Sequence, residues 1–133
     1  MKLPESFVAA WAPRALSVLR IVAAFLFMAH GMQKILGLPV PRAVETSLLS
    51  LSGIAGLMEL VGGALLLIGL FTRPVAFLVA GEMLAAFFQA HLPKGGVPLQ
   101  NGGEVPLLYM LVFLFLLGNG AGPASLDGRR RSA

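Results

Sequence analysis

His30, Gln33 and Lys34 fall three and four residues apart, so on a helix they share a broad face that carries an imidazole, an amide and an ammonium. Such a set can donate hydrogen bonds to a carbonyl oxygen, and a partly buried imidazole or carboxyl can exchange a proton. Glu59, Gln89, His91, Asn101 and Glu104 break apolar sequence in the same way further along the chain. Ionisable groups at the edge of a bilayer are costly and call for a partner or a task. The candidate ligand-binding residues are therefore His30, Gln33, Lys34, Glu59, His91, Asn101 and Glu104, and none is assigned a catalytic step. No metal site is expected, because the chain has no closely spaced ligand pair such as His-x-x-x-His. Phosphate-cradling glycine loops, nucleophile elbows and dinucleotide fingerprints are also missing from the sequence.

These residues need a frame, and the composition points to one. Of 133 residues, 57% are hydrophobic and 12% charged, against about 25% charged in a soluble domain. The mean hydropathy of +0.86 places the chain in a bilayer. The apolar runs are too long and too rich in Leu, Ala and Phe for the alternating strands of an outer-membrane barrel, so an all-α fold is expected. With no cysteine, the chain cannot run thiol chemistry or hold an iron–sulfur cluster through thiolates, and it has no intrinsic cofactor signature. The net charge of +4 comes from basic residues that flank apolar runs and form the tail, Arg129 to Arg131. That pattern serves membrane topology and anionic lipid contact, so no nucleic-acid partner is expected.

Four spans are predicted, over about residues 15–33, 53–71, 75–92 and 105–118, in a single domain, 1–133. The first is read as an uncleaved span rather than a signal peptide. The fourth is short and gains length only with its ends in the headgroups, where Pro106 suits a first helical turn. Leu36 to Ser52, with Pro39, Pro41, Arg42 and Glu45, reads as an interfacial segment with a short helix. Thr72-Arg73-Pro74 reads as a tight turn, and Pro93 to Glu104 as an irregular outer loop. Lys2, Arg14, Arg73 and Arg129 to Arg131 on one side outnumber Lys34, Arg42 and Lys94 on the other, six against three. The fold expected is thus a four-helix transmembrane bundle, N-in and C-in, with the candidate site on the outer face.

Small residues recur along the second span (Gly53, Gly56, Gly62, Gly63, Gly69) and the third (Ala76, Ala80, Gly81, Ala85, Ala86), predicting that these two pack most closely. The fourth span, with almost no small residue, reads as a lipid-facing wall. Arg20 and Glu82 fall at matching depths, about 9 and 12 Å from the inner ends of their spans. A lone charge there would cost at least about 2.5 kcal/mol, so the two are expected to pair or Glu82 to be protonated.

The order His30-Gly31-x-Gln33-Lys34, Glu59-x-x-Gly62-Gly63, Gly69-Leu70-Phe71-Thr72-Arg73, His91-x-x-x-Gly95, Asn101-Gly102-Gly103-Glu104 and Gly122-Pro123-x-Ser125-x-Asp127 resembles the DoxX family of small bacterial four-helix membrane proteins. The resemblance covers nearly the whole chain. It implies a multi-pass protein of the bacterial inner membrane, associated with a quinone-linked oxidoreductase complex as a subunit or accessory. It also implies a bound quinone as cofactor and membrane or extracytoplasmic proteins as partners; apart from the resemblance, a homo-oligomer is a further expected form. The alternatives are a non-catalytic scaffold or assembly factor and, less expected, a small solute or proton transporter, for which four short spans offer little room.

Overall fold

The computed structural model describes residues 3–42 and 46–132, so the readings that involve Lys2 and Glu45 lie outside the described residues. Helix α1 runs Glu5–Leu36, α2 Leu51–Ile68 and α3 Thr72–Ala86, and α3 continues through a π-helical turn at Phe87–His91 and a 3-10 turn at Leu92–Lys94. A short α4 (Pro98–Asn101), α5 (Glu104–Asn119) and α6 (Leu126–Ser132) complete the chain, with no strand among the described residues. Three helices, Glu5–Leu36, Leu51–Ile68 and Thr72–Lys94, are long and apolar enough to cross a membrane, while Glu104–Asn119 is apolar but shorter.

Local chemistry explains the boundaries. Gly37 closes α1 in the left-handed conformation, and the Ser50 hydroxyl accepts from the Gly53 N–H to start α2. The segment between them contains no helix among its described residues, so the expected interfacial helix is corrected. Arg42 instead ties this strap to α2, donating to Thr46 and Ser52. The turn after α2 is Gly69 to Phe71, not Thr72 to Pro74, which lie inside the first turn of α3.

Closest approach occurs between α1 and α2, which corrects the expectation for α2 and α3. A Cβ on Gly31 would strike the Leu60 amide and lie 2.7 Å from the Gly56 carbonyl oxygen, and one on Gly63 would lie 2.7 Å from Met28 Cβ. Helix α5 is also more than a wall. Its Pro106, Phe113 and Leu116 are buried, and Phe113 and Leu116 join Val75, Ala76, Val79, Ala80 and Met83 of α3 in one core, while Leu108, Leu111 and Phe115 stay exposed.

At the end carrying the α2–α3 turn, hereafter the turn end, Arg20 is fully buried and serves as a clamp. It donates to the carbonyls of Leu66 (2.5 Å) and Leu67 (2.6 Å) at the end of α2, and to those of Ala121 (2.8 Å) and Ala124 (2.5 Å) in the segment before α6. The expected Arg20–Glu82 ion pair does not form. A guanidinium at a helix C-terminus finds orphan carbonyls and a favourable dipole closer than any carboxylate on α3.

The same end is closed by Asp127, whose carboxylate accepts from the Phe71 (3.0 Å) and Thr72 (2.8 Å) amides and caps α3 from a distant part of the chain. This holds Phe71 at a φ of 52°, a left-handed conformation that a non-glycine residue adopts only when the surroundings impose it. Burial works to raise the Asp127 carboxyl, but the Thr72 and Phe71 hydrogen bonds and the nearby Arg130 outweigh it and hold the group below its ordinary value. A lowered folded value means that the stabilisation is complete above the ordinary carboxylate range and is lost as pH falls through the folded value. Asp127→Asn, which keeps only one accepting oxygen and loses the charge at the start of α3, is therefore expected to cost about 1 kcal/mol at neutral pH. The gap to wild type should close in acid, read from thermal unfolding at several pH values.

Candidate functional site

Helix registers place four titratable side chains at one level. Gly63 packs on Met28 and Gly56 on Lys34 and Ile35, which sets Glu59 of α2 level with Gly31 and the adjacent His30 of α1. Gly62 packs on Val79, so three residues further from the turn Glu59 faces Glu82 of α3 across the hairpin. The Arg73–Leu117 hydrogen bond and the Gly103–Phe87 contact set Glu82 level with Leu108 and Tyr109 of α5. Helices α1, α2, α3 and α5 thus each bring one group to this layer, near the middle of α2.

The strongest link in the layer is a 2.6 Å ion pair between Lys34 Nζ and Glu59 Oε1. Helical side chains lean toward the N-terminus, so the Lys34 stem runs back down α1 to reach a carboxylate that is only 3% exposed. Glu59 Oε2 and both oxygens of Glu82 are buried without hydrogen-bond partners among the described residues. The charged groups whose fields reach Glu82 are Glu59 and Lys34, and Arg20 is not among them. Glu82 therefore belongs with the Lys34–Glu59 pair, a correction to its assignment beside Arg20.

His30 points away from this pair. Its ring meets Tyr109 edge-on at 5.9 Å, and Tyr109 in turn packs with Phe27 (5.3 Å) and Phe113 (5.7 Å). His30, Gln33 and Tyr109, with Leu26, Ala29, Pro39 and Val40, line an open groove of about 360 Å³. The groove continues between α1 and α5 as an apolar cleft of about 340 Å³ that shares Leu26 and Tyr109 and is walled by Leu19, Val22, Leu108 and Val112. Gln33 donates weakly to the Val40 carbonyl (3.3 Å) and also lines a second hollow with Lys34, Arg42 and Thr46. Sequence reading missed Tyr109; its spacing of four from Phe113, which puts both rings on one face of the helix, was the available signal.

The remaining candidates organise the loop at the far end. His91 Nδ1 meets the Asn101 carbonyl at 3.0 Å, and the buried Asn101 side chain donates to Gly95 O (2.6 Å) and accepts from the Gly103 amide (2.7 Å). Glu104 and Gln89 are exposed. No hydrogen bond or ion pair among the described residues connects this loop clasp to Lys34–Glu59, so the single cluster drawn from sequence separates into a buried ionic pair, a groove head and a loop clasp. Among the described residues, no group of three or more His, Asp or Glu converges in a way that could hold a metal ion.

The DoxX family model matches residues 15–92. An uncharacterized protein of Haemophilus influenzae is 42% identical over 125 residues, covering 88% of this chain and 91% of the relative. A second uncharacterized protein of the same organism is 35% identical over 69 residues, 52% of this chain and 46% of that protein. No solved structure matches the chain. With three helices able to cross a membrane, a family match over more than half its length and a relative aligned along most of it, the chain belongs to the DoxX family.

Proposed function

We propose that this protein is a multi-pass component of the bacterial inner membrane, N-in and C-in as one four-helix domain, that holds a quinone or similar amphiphile for a partner oxidoreductase. The observation that carries this reading is the α1–α5 cleft, which joins an apolar channel open to lipid to a polar head of His30, Gln33 and Tyr109. An amphiphile with a carbonyl-bearing ring and a hydrocarbon tail matches that division. His30, Gln33 and Tyr109 each present a donor for a ring oxygen, and the walls from Leu19 to Leu26 and from Val105 to Val112 accept the tail. A bound quinone supplies the two-electron chemistry, and its electrons come from the partner. Lys34, drawn to Glu59, is not a ring donor, while His91, Asn101 and Glu104 frame the outer loop where a partner would dock.

The test is to purify the protein in native lipid and quantify quinone against bulk membrane. Near-stoichiometric quinone is expected in the wild type. His30→Ala should weaken retention about tenfold, the equivalent of one lost hydrogen bond of about 1.4 kcal/mol. Quinone at bulk-membrane levels in the wild type would end this reading.

A second reading, a non-catalytic scaffold, is supported by α1 before Pro13, where Phe7, Val8 and Trp11 are exposed along the helix. A constant protein partner with no bound small molecule would favour it.

A further inference from the structure

The hairpin of α2 and α3 carries two carboxyl groups that the amphiphile reading does not use. Glu59 is more than nine-tenths buried, and among the described residues its Oε2 has no hydrogen-bond partner, while Glu82 across the hairpin has none for either oxygen. The titratable groups within electrostatic reach of them are Lys34 and, turned toward the groove, His30 from α1, Tyr109 from α5 and Arg42 from the strap. Among the described residues only Lys34 makes an ion pair here, and it is committed to Glu59 Oε1. One ammonium thus stands against two carboxyl groups in a region where backbone donors are consumed by helix bonds, so two ionised carboxylates cannot both be compensated.

We propose that Glu59 and Glu82 form a proton-binding pair at mid-membrane, with Glu82 held as the neutral acid and Glu59 as the carboxylate, and that withdrawal of Lys34 lets Glu59 take a second proton. A proton on Glu82 turns one of its orphan acceptors into a donor, and Glu59 Oε2 is the free acceptor on the facing helix. Proton exchange has a route. Lys34 is 26% exposed and lines a hollow of about 330 Å³ with Gln33, Arg42 and Thr46, so water reaches the ammonium from the loop end. When Lys34 leaves Glu59, an O–H bond forms on Glu59 at the expense of a hydronium ion from that hollow, and the charge of the site is unchanged by the exchange of one cation for another. The site is thus a proton-for-ammonium switch placed in the same layer as Tyr109 and His30.

Infrared difference spectroscopy on the full chain in lipid nanodiscs tests this. The wild type should show a protonated-carboxyl C=O band at neutral pH that shifts in deuterium oxide. Glu82→Gln should remove it, whereas Glu104→Gln, at an exposed position, should not. Lys34→Met should raise the band about twofold, because two acids then stand where one stood. Absence of the band in the wild type would overturn the proposal, and that measurement needs no variant to fold. A band that survives Glu82→Gln, or one that Lys34→Met leaves unchanged in a protein of wild-type helicity, would also overturn it. The outcome is separate from quinone retention, since the band is expected with or without a bound amphiphile.

Discussion

Arg20→Leu is expected to destabilise the fold by at least about 3 kcal/mol and to free the C-terminal segment. Arg20 supplies donors to four carbonyls, and among the described residues only Leu66 O of these has a second donor, the Gly69 amide. Removing the guanidinium leaves the carbonyls of Leu67, Ala121 and Ala124 orphaned, each at about 1–3 kcal/mol where burial persists, with partial relief from water at the membrane edge. The Gly69 turn packs against this same guanidinium, so a leucine also leaves a void under it. Arg20→Lys should lie between, because an ammonium is a compact point donor and cannot span acceptors arranged around a planar fork. Unfolding in mixed detergent gives the stability, and trypsin cleavage at Arg129 to Arg131 should accelerate in the same order. Wild-type stability and cleavage in Arg20→Leu would show that the clamp contributes nothing.

This clamp marks where sequence was and was not legible. The apolar runs announced the three long helices and the shorter α5, because hydropathy sums over many residues and tolerates error at any one. The helix ends were less legible. Helix α1 begins at Glu5, ten residues before the apolar run at Ala15, because backbone hydrogen bonding continues past the lipid-soluble stretch. Depth arithmetic from span ends paired Arg20 with Glu82, since it equated two distances without knowing that the chain after α5 folds back beneath Arg20 and offers it carbonyls. The motif Gly122-Pro123-x-Ser125-x-Asp127 held that information, but its target, the Phe71 and Thr72 amides, lies more than fifty residues away. Of the site's polar residues, all but Tyr109 were singled out from sequence. Their division was not, because which face of α1 meets α2 is set by Gly31, Gly56 and Gly63, and this face sends Lys34 inward to Glu59 and His30 outward to the groove.

That division makes Gly31→Ala the second large effect, expected to cost about 3 kcal/mol, the upper part of the usual range for overpacking. The added methyl has no space: it meets the Leu60 amide and the Gly56 carbonyl, which are backbone and cannot rotate away. Helices α1 and α2 must separate, and the displacement falls where the site is built, since Gly31 sits between His30 and Lys34 and its contact Leu60 follows Glu59. The 2.6 Å pair should then lengthen and the groove head shift, so quinone retention and the carboxyl band should change together with stability. Gly81→Ala is the control. It lies in the interior of α3 with nothing within 4 Å of an added Cβ, so helix propensity predicts a gain of up to about 1 kcal/mol. Thermal unfolding of both variants in one lipid system decides the matter: a small loss at Gly31 would mean that α1 and α2 do not meet through this glycine. The partition of Lys34 and His30 to opposite faces would then need another cause.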